Sequence, residues 1–594
     1  MKLLWSAVII LAMTTGCKSK SDKENNQPGK ELSALFEQYY EEYLQLFPLE
    51  ATFIGDKRYN HLLPIDFTDS YREKYREFLR RYLTELKKYE SVEKSGRDQT
   101  SYDVMVYDLE MFLEELKYPD NYFPFHQMFG MPLTLAQLGS GSSYQPFKTV
   151  RDYNDWLQRA SGFPAWADSA ISYFKKGFNA QFVFPKAIVE KLIPQMEAIP
   201  AARLQESIFY SPIHTIPAEF SEADKKKITG DYAKLIKDQL EPAYKKLGNF
   251  LKRNYLLKAR TSSGIGSLPG GEDYYRFLVK KMTTTDKSPQ DIYEMGLAEV
   301  ARIRQLMDSV KQSTGFTGDL PSFFEYMKTD KKFTPFKTPR DVLDAFEKIH
   351  QVMEPYLKKM FNRVPITPFE IRQTEAFRAE SASAEYHAGA PDGSRPGIFY
   401  VPILDATTFS VTSGMESLFL HEAIPGHHYQ ISLQQEDTSL PRFRRFGGYS
   451  AYAEGWALYC ESLGKELGLY TDPYQYMGAL GDEMHRAIRL VVDVAIHLKG
   501  MTREEAIKYM MANEAISEQG ATAEIERYMV MPGQALAYKI GALKIAELRA
   551  KYVDQSGGKV SLAEFHDEVL KHGALPLTLL EKKLDEWAKS LKHQ

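Results

Sequence analysis

The helical spacing of apolar residues is the feature that most constrains the fold of this chain. Aromatic and leucine residues recur every three or four positions with charged residues between them, which places them on one face of an α-helix. This spacing occurs in residues 31–43, 70–89, 103–116, 342–363 and 562–592. Ser288-Pro289 followed by Asp291 predicts the start of a further helix that extends towards Gln312. The sequence therefore predicts a mainly α-helical protein.

One segment has the character of a β-strand. Residues 397–403 (GIFYVPI) follow a turn-rich stretch at 389–395 and predict a small β element. A chain of 594 residues usually exceeds one hydrophobic core, so two lobes are expected. The stretch 262–271 is rich in Gly, Ser and Pro, and it predicts a boundary between a helical N-terminal lobe (31–270) and a catalytic lobe (271–594).

The N-terminus has the features of an export signal. Residues 1–16 contain one lysine and a short apolar run, which is too short to span a bilayer. The end of this segment, TTGC, resembles the cleavage box of bacterial lipoproteins, with Cys17 as the lipidated residue. A polar tether follows at 17–30. We expect a lipid-anchored protein of the bacterial cell envelope that faces the periplasm or the outer-membrane surface and contacts the membrane only through this lipid.

The charge of the chain argues against nucleic acid as a partner. There are 75 basic and 79 acidic residues, a formal net charge of -4, so no basic excess exists to neutralise phosphates. The sequence contains neither a P-loop nor a dinucleotide-binding glycine motif. Binding of nucleic acid or of a nucleotide is therefore not predicted.

Three histidines lie close together in the segment 413–430 (SGMESLFLHEAIPGHHYQ). His421, His427 and His428 fall within eight residues, where the chain's 13 histidines would place roughly 0.2 by chance. His421-Glu422 matches the start of the H-E-x-x-H zinc motif, in which two histidines one turn apart bind the metal. Pro425 stands at the position of the second histidine, so the standard motif is absent.

Helix geometry decides between the remaining histidines. On a regular helix six residues rotate a side chain by ~600° and advance it by ~9 Å, so His427 would point away from His421. His427 can join His421 if Pro425-Gly426 distorts the helix, which proline favours by removing a backbone donor. His428 returns to the same face but lies ~10.5 Å along the axis. We favour His427 as the second ligand, with His428 as the alternative.

A catalytic zinc site needs a third protein ligand and keeps one position for water. The segment 448–461 (GYSAYAEGWALYCE) places Glu454 inside an apolar, aromatic helix, where a charge without a partner is costly. Glu454 is therefore the predicted third ligand, and Glu461 is the alternative. A solvated carboxylate on a helix face is the simpler interpretation of either residue.

A polar stripe follows in the helix predicted at 484–497. Arg486, Arg489, Asp493 and His497 are spaced by three, four and four residues, so they share one face. The stripe is either a buried ladder of ion pairs or a functional surface. In the second case Asp493 or His497 would orient a ligand histidine, and the arginines would bind a substrate carboxylate.

Two tyrosines flank a Pro-Gly break in the segment 524–541 (EIERYMVMPGQALAYKIG). Tyr528 or Tyr538 could donate a hydrogen bond to an oxyanion, although a tyrosine of the hydrophobic core has the same spacing. Arg527 lies beside Tyr528 and is a further candidate for binding a carboxylate.

Taken together, these motifs resemble the bacterial domain-of-unknown-function family 885. The resemblance is carried by LFLHEAIPGHHYQ, SAYAEGWALYCE, RAIRLVVD, RYMVMPGQALAYKIG, DGSRPGIFYV and TTTDKSPQDIYEMGLAEVARI, which together cover most of the chain. That family is similar to the helical zinc peptidases of the neurolysin and thermostable carboxypeptidase type. The resemblance implies two helical lobes around a deep cleft, with the strand at 397–403, including Tyr400, lying along the cleft and pairing with an extended peptide.

The same resemblance assigns roles to residues. His421 and Glu422 match the first ligand and the general base of the H-E-x-G-H motif, and His427 matches its second histidine. Glu454 matches the downstream ligand, and Tyr538 matches the second tyrosine of a G-Y-F-P-T-Y-x-L-G run. This chain departs from the pattern by two extra residues between the base and the Gly-His pair.

The expected function is that of a zinc-dependent peptidase of the envelope that hydrolyses short peptides. Arg486, Arg489 or Arg527 would bind a terminal carboxylate, which would favour cleavage from the C-terminus. Two alternatives stay open. One is a zinc amidase that acts on a non-peptide amide, and the other is a non-catalytic lipoprotein that binds peptides.

Overall fold

The prediction of a mainly α-helical protein with a small β element is confirmed. The computed structural model describes residues 27–375, 383–390, 393 and 395–591. The helices before the sheet are α1 Gln27–Leu46, α2 Pro48–Phe53, α3 Asp69–Lys87, α4 Gly96–Glu115, α5 Met131–Gly139, α6 Val150–Ser161, α7 Phe163–Asn179, α8 Lys186–Ala198, α9 Ser211–His214, α10 Glu222–Leu235, α11 Glu241–Phe250, α12 Gly271–Thr283, α13 Pro289–Ser313, α14 Leu320–Thr329 and α15 Pro339–Met360. The helices after the sheet are α16 Met415–Glu422, α17 His427–Glu436, α18 Arg442–Arg445, α19 Ser450–Ser462, α20 Pro473–Leu498, α21 Arg503–Asn513, α22 Glu518–Val530, α23 Ala537–Tyr552, α24 Leu562–Leu570 and α25 Leu577–Leu591.

Shorter helical turns connect these elements. Two π-helical turns, Ile236–Leu240 and Leu251–Tyr255, flank α11. The 3-10 turns are Lys57–Tyr59, Asp120–Tyr122, Leu204–Glu206, Ile208–Tyr210, Ile265–Ser267, Lys331–Phe333, Ala406–Thr408, Gln534–Leu536 and Asp554–Ser556.

The start of α13 shows why local sequence predicts the helices well. The Ser288 hydroxyl accepts a hydrogen bond from the Asp291 amide at 3.2 Å, and the Asp291 carboxylate accepts one from the Ser288 amide at 3.1 Å. This reciprocal pair satisfies two amide groups that a helix N-terminus leaves free. Pro289 occupies the first turn, where its missing donor costs nothing.

The β element is a three-stranded sheet in the order β1-β3-β2. The strands are β1 Phe369–Gln373, β2 Glu385–His387 and β3 Gly397–Val401. β3 pairs in parallel with β1 and antiparallel with β2. The expectation that β3 itself pairs with an extended peptide is wrong, because β3 is the central strand and both of its edges are occupied by its neighbours. An added strand would have to pair with β1 or β2 instead.

Buried side chains form two hydrophobic clusters, and each draws on both sides of residue 270. The first contains Leu79 as well as Trp456, and the second contains Trp156 as well as Ile488. The buried clusters are therefore shared across residue 270, and the division into two lobes stays a prediction. Helix α20 joins the clusters, since Leu490 packs in the first and Val491 in the second.

The predicted export signal (1–16) and Cys17 lie outside the described residues. Helix α1 begins at Gln27, so the last four positions of the predicted tether are helical. Among the described helices, none has both the length and the apolar character that a membrane-spanning segment needs.

Candidate metal centre

A break in the helix after His421-Glu422 brings two of the three histidines together. Helix α16 ends at Glu422, and α17 begins at His427, with Ala423 and Gly426 both outside helical geometry. The imidazole rings of His421 and His427 have centroids 4.9 Å apart and perpendicular planes. A regular helix would have pointed these side chains apart. The break at Pro425-Gly426 therefore makes this contact possible.

Glycine is required at position 426 because of this close approach. A Cβ atom there would lie 2.0 Å from the carbonyl oxygen of His421 and 2.3 Å from that of Leu420. Both oxygens belong to the backbone of α16, which cannot give way as a flexible side chain would. The chain can thus return close to α16 and start α17 only without a side chain at this point.

Glu454 completes a compact group of three possible metal ligands. Its Oε2 atom lies 3.3 Å from Nε2 of His421 and 3.5 Å from Nε2 of His427. One ligand atom from each of the three residues lies within 4.8 Å of the others. Two ligands that are each about 2.1 Å from one tetrahedral ion are about 3.4 Å apart, so both carboxylate distances suit a shared ion.

Close helix packing holds Glu454 in this place. On α19, a Cβ atom at Gly455 would lie 2.5 Å from Cα of Gly541 on α23, so the two backbones touch here. The indole Nε1 of Trp456 donates a hydrogen bond to the carbonyl oxygen of Pro425 at 2.9 Å. Helix α19 is therefore anchored both to α23 and to the break that positions His427.

Glu461 orients His421 from behind. Its Oε1 lies 2.7 Å from Nδ1 of His421, and both side chains are buried. The Glu461 carboxylate accepts a hydrogen bond from Nδ1–H, which favours the tautomer whose unprotonated Nε2 faces Glu454. Glu461, which the sequence suggested as an alternative third ligand, thus contacts a histidine rather than the position shared by the three ligand atoms.

The electrostatics of the group favour a positive charge at its centre. Burial lowers the pKa of His421, but hydrogen bonds with Glu454 and Glu461 outweigh it and raise the pKa to about 10. Burial raises the pKa of Glu454, yet hydrogen bonds with His421 and His427 hold it well below its usual range. Glu454 is half-buried between two imidazoles, and this arrangement favours a cation beside its carboxylate, either a proton or a metal ion.

The donor set fits zinc. Two imidazoles and one carboxylate are a common protein ligand set of catalytic zinc sites. The nitrogen of His427 that faces Glu454 is Nε2, and its Nδ1 has no hydrogen-bond partner in the described part of the chain, in contrast to Nδ1 of His421. Nothing in the arrangement of His421, His427 and Glu454 conflicts with binding such an ion.

His428, the alternative ligand, faces the sheet. Its Nδ1 lies 3.0 Å from the hydroxyl of Tyr386 on β2, and its ring packs against Phe369 on β1 with centroids 5.0 Å apart. Burial lowers the pKa of His428 to about 4, so the ring is neutral at physiological pH. The structure therefore separates His428 from the ligand group.

The predicted general base lies at the end of α16. Glu422 is half-buried, and its negative charge contributes to the raised pKa of His421. Tyr538 lies in the first turn of α23, the helix that packs on α19. Burial raises the pKa of its phenol, and the charge of Glu454 raises it further, so this half-buried hydroxyl stays protonated close to the ligand group.

Glu524, which the sequence analysis did not single out, links Tyr528 to Arg489 and Arg527. The Tyr528 hydroxyl donates to Glu524 and accepts from Nε of Arg489 at 2.9 Å. Glu524 also pairs with Arg489 at 3.1 Å and with Arg527 at 3.0 Å. Tyr528 is fully buried, so its hydroxyl cannot reach a substrate. Position 524 lies one turn before 528, and this spacing was the available signal.

Arg486 differs from the other two arginines. It forms no ion pair within the described residues, and its Nε is buried without a partner. Its guanidinium carbon lies 6.0 Å from the ring centroid of Tyr538, and that of Arg489 lies 4.8 Å away. Of the three predicted carboxylate-binding arginines, Arg486 is the least committed to other residues.

Asp493 and His497 lie elsewhere and bond to other residues than the ligand histidines. Asp493 accepts hydrogen bonds from the Tyr275 hydroxyl at 2.5 Å and the Gly533 amide at 3.0 Å. His497 accepts from the Ile265 amide at 3.0 Å and lies 3.0 Å from the carbonyl oxygen of Tyr528. Both residues tie α20 to its neighbours, whereas the contact with His421 that we predicted for them is made by Glu461.

Tyr400 lies within the sheet. It stands on β3 opposite Arg372 of β1 and Glu385 of β2, and its ring is 5.0 Å from that of His387. Tyr400 thus pairs with both neighbouring strands.

Comparison with known proteins identifies relatives of the same fold. A candidate lipoprotein from Colwellia psychrerythraea is 26% identical, with a TM-score of 0.86 over 95% of this chain and 99% of its own. A candidate lipoprotein of unknown function from Shewanella oneidensis is 20% identical, with a TM-score of 0.69 over 93% and 99%. A carboxypeptidase from Pyrococcus furiosus is only weakly similar, at 11% identity and a TM-score of 0.40 over 96% and 99%. No curated protein sequence matches the chain significantly.

The family comparison agrees with the resemblance found in the sequence. The match extends over residues 48–584, which includes the ligand group, Glu422 and Tyr538. The chain therefore belongs to the family of bacterial proteins of unknown function DUF885.

Proposed function

We propose that this protein is a zinc-dependent hydrolase that cleaves short peptides. The observation that carries the proposal is the convergence of His421, His427 and Glu454, whose ligand atoms lie within 4.8 Å of one another. These three residues would hold the ion, and Glu461 would keep His421 in the required tautomer. When bound, zinc supplies Lewis-acid activation of water and of a carbonyl group.

The other residues supply proton transfer and charge stabilisation. Glu422 follows His421 directly, and its carboxylate takes a proton from the attacking water and passes it to the leaving amine. The Tyr538 hydroxyl, kept protonated by burial and by the charge of Glu454, donates a hydrogen bond to the developing oxyanion. Arg486 binds the terminal carboxylate of the peptide, since its unpartnered Nε lies near Tyr538.

The same proposal places the protein in the bacterial envelope. Two structural relatives are described as candidate lipoproteins, and the N-terminal segment ending in Cys17 resembles a lipoprotein signal. The lipid on Cys17 would then be the contact with the membrane. Labelling with a fatty-acid analogue, compared between the wild type and Cys17→Ala, checks this part separately.

Metal content tests the ligand assignment. Protein purified without a metal-binding tag is analysed by mass spectrometry as the wild type, His427→Ala and His428→Ala. We expect about one zinc ion per chain in the wild type and in His428→Ala, and loss of the ion in His427→Ala. A wild-type protein that neither contains zinc nor takes it up when zinc is added would refute the proposal.

Activity then separates a peptidase from its alternatives. The zinc-loaded protein is assayed on a library of short peptides and on non-peptide amides, with Glu422→Gln as the inactive control. Cleavage of peptides by the wild type alone supports the proposal, and cleavage of non-peptide amides only would indicate an amidase. Peptide binding without any cleavage would indicate a non-catalytic binder.

A further inference from the structure

A cavity lies apart from the metal ligands. Its volume is about 410 Å³, within the range of about 300–1,000 Å³ that is typical of small-molecule sites. Helices α1 and α4 and the segment 443–450 form its walls, and none of His421, Glu422, His427, Glu454 and Tyr538 lines it.

Aromatic side chains line much of this cavity. Tyr39, Tyr43, Phe112, Phe443 and Tyr449 all contribute to the wall. The rings of Tyr39 and Tyr43 stack with centroids 6.0 Å apart, and Phe443 meets Tyr39 edge-on at 6.1 Å. These flat apolar surfaces suit a ligand whose body is aromatic or apolar.

Arg444 lines the same cavity with unsatisfied donors. The residue is 3% exposed, and one of its terminal nitrogens, Nη2, donates to the carbonyl oxygens of His572 at 2.5 Å and Ala574 at 3.5 Å. Its Nε and Nη1 have no hydrogen-bond partner among the described residues. Buried donors of a charged group are costly to leave unpaired, so an acceptor that reaches one of these nitrogens from the cavity would be favourable.

Arg444 forms no ion pair with the acids of the cavity wall among the described residues. Asp108 is buried and accepts a hydrogen bond from the Tyr449 hydroxyl at 2.6 Å, but it forms no ion pair with Arg444 in the described part of the chain. Burial raises the pKa of Asp108 to about 7, and it also raises the pKa of Glu50. The other cation of the wall, Lys281, is paired with Glu115. The charge of Arg444 is therefore the one in this cavity that lacks a counter-ion within the described residues.

A further hydroxyl is unsatisfied beside it. Tyr107 lines the cavity, and its hydroxyl is buried without a hydrogen-bond partner among the residues that the structure describes. Its ring packs edge-on against Tyr449 at 6.2 Å. A ligand oxygen that accepts from Arg444 could also accept from this hydroxyl.

We propose that this cavity is a second ligand site, which binds an organic monocarboxylate with an aromatic or apolar body. The carboxylate accepts a charge-assisted hydrogen bond from Nη1 of Arg444 and a second one from the hydroxyl of Tyr107. The aromatic wall covers the rest of the ligand. One basic side chain without an ion-pair partner matches a single negative charge, so a monocarboxylate suits this wall better than a dianion such as a phosphate ester. The proposal does not depend on hydrolase activity at the metal centre.

Calorimetric titration with 3-phenylpropionate and with hexanoate tests this site. We expect at least one of them to bind, and the uncharged 3-phenylpropanamide to bind at least tenfold more weakly than the acid. Arg444→Lys keeps the charge but removes the Nη1 donor, and Tyr107→Phe removes only an unpartnered hydroxyl, so both variants should fold. Each should weaken binding at least threefold. Arg442→Gln is the matched control, since Arg442 pairs with Glu37 and Glu41 outside the cavity wall and should bind as the wild type does.

Each result of these titrations either supports or contradicts the proposed carboxylate site. Failure of both carboxylates to bind at millimolar concentration would overturn it, as would equal affinity in the wild type, Arg444→Lys and Tyr107→Phe. The titration is repeated with Glu422→Gln and after zinc chelation. Unchanged binding in both supports a separate site, whether or not the metal centre hydrolyses peptides. Binding that is lost on chelation would place the carboxylate at the metal centre and would contradict the inference.

Discussion

Replacing Gly426 by alanine should damage the metal centre without touching any ligand. The added Cβ would lie 2.0 Å from the carbonyl oxygen of His421, whereas real Cβ contacts essentially never fall under 3.0 Å. The two backbones must therefore separate by about 1 Å at this point. The oxygen belongs to the hydrogen-bonded turn that ends α16, so we expect the shift to fall on His427, which directly follows the substituted residue.

The size of this shift sets the expected loss. Metal–ligand bonds in proteins tolerate a displacement of only about 0.2 Å, so a movement of about 1 Å takes His427 out of bonding distance. Disturbing residues behind a ligand typically costs 10–100-fold in metal affinity. Displacing the ligand itself should cost at least about 100-fold, which corresponds to about 2.7 kcal/mol of binding free energy.

Competition for zinc against a chromophoric chelator measures this loss. Gly481→Ala is the matched control, because Gly481 lies on α20, the helix that carries Arg486, and an added Cβ there would meet nothing within 4 Å. We expect the control to bind zinc as the wild type does. Wild-type affinity in Gly426→Ala would refute the reasoning, since it would mean that the position of His427 does not depend on the close approach of the two helices.

Three further predictions concern Glu461, Tyr538 and His497. Glu461→Gln should weaken zinc binding about 10–100-fold, because a neutral amide orients His421 less firmly, while Glu466→Gln on the surface should leave affinity unchanged in the same competition assay. Tyr538→Phe should lower kcat on a cleaved peptide about 10²–10³-fold with little change in KM, and an unchanged kcat would exclude a role at the oxyanion. Burial lowers the pKa of His497 to about 3, against about 6.5 in an unfolded chain, so the unfolded state binds more protons between these values. On account of this residue, the free energy of unfolding should fall by about 1.4 kcal/mol per pH unit below about pH 6. Denaturant titrations at pH 7, 6 and 5 should show that the free energy of unfolding depends less steeply on pH in His497→Gln than in the wild type.

Helices could be predicted because their signals are local. The pattern at 70–89 corresponds to a helix over Asp69–Lys87, and the one at 342–363 to a helix over Pro339–Met360. The pattern at 562–592 is interrupted, because Gly573 adopts a positive φ of 65° and Pro576 follows before the next helix begins. Hydrophobic periodicity does not reveal a break between two helices when apolar residues continue through the break.

The sheet was predictable only in part, since its pairings are distant in the sequence. The central strand over Gly397–Val401 is buried and rich in apolar residues, and it was expected. The strand Glu385–His387 has three residues and no apolar face, and Phe369–Gln373 carries three polar residues. Such strands are formed by the neighbour that they pair with, so their own residues contain little signal.

The histidines and carboxylates of the centre could be found from residue type and clustering, but their partners could not. Glu461 lies two turns after Glu454 on α19, which fits a second ligand and a supporting residue equally well. The choice depends on whether its carboxylate meets Nδ1 of His421 or the position shared by the three ligand atoms, and only the packing of α16 against α19 decides that. Asp493 was assigned to the same task on its spacing alone, and it bonds to Tyr275 and Gly533 instead.

The two extra residues between Glu422 and Gly426 show what a metal motif actually specifies. In H-E-x-x-H the regular turn of one helix brings two imidazoles to the same face. The spacing in the sequence therefore ensures that the two ligand atoms lie close together. Here the helix stops at Glu422, and Gly426 allows a second helix to begin against the first. The Trp456 indole holds the carbonyl of Pro425, so the helix that supplies Glu454 also fixes the connection. The break and the third ligand therefore depend on one another, and a search for the fixed spacing would miss a site whose ligand atoms still converge within 4.8 Å.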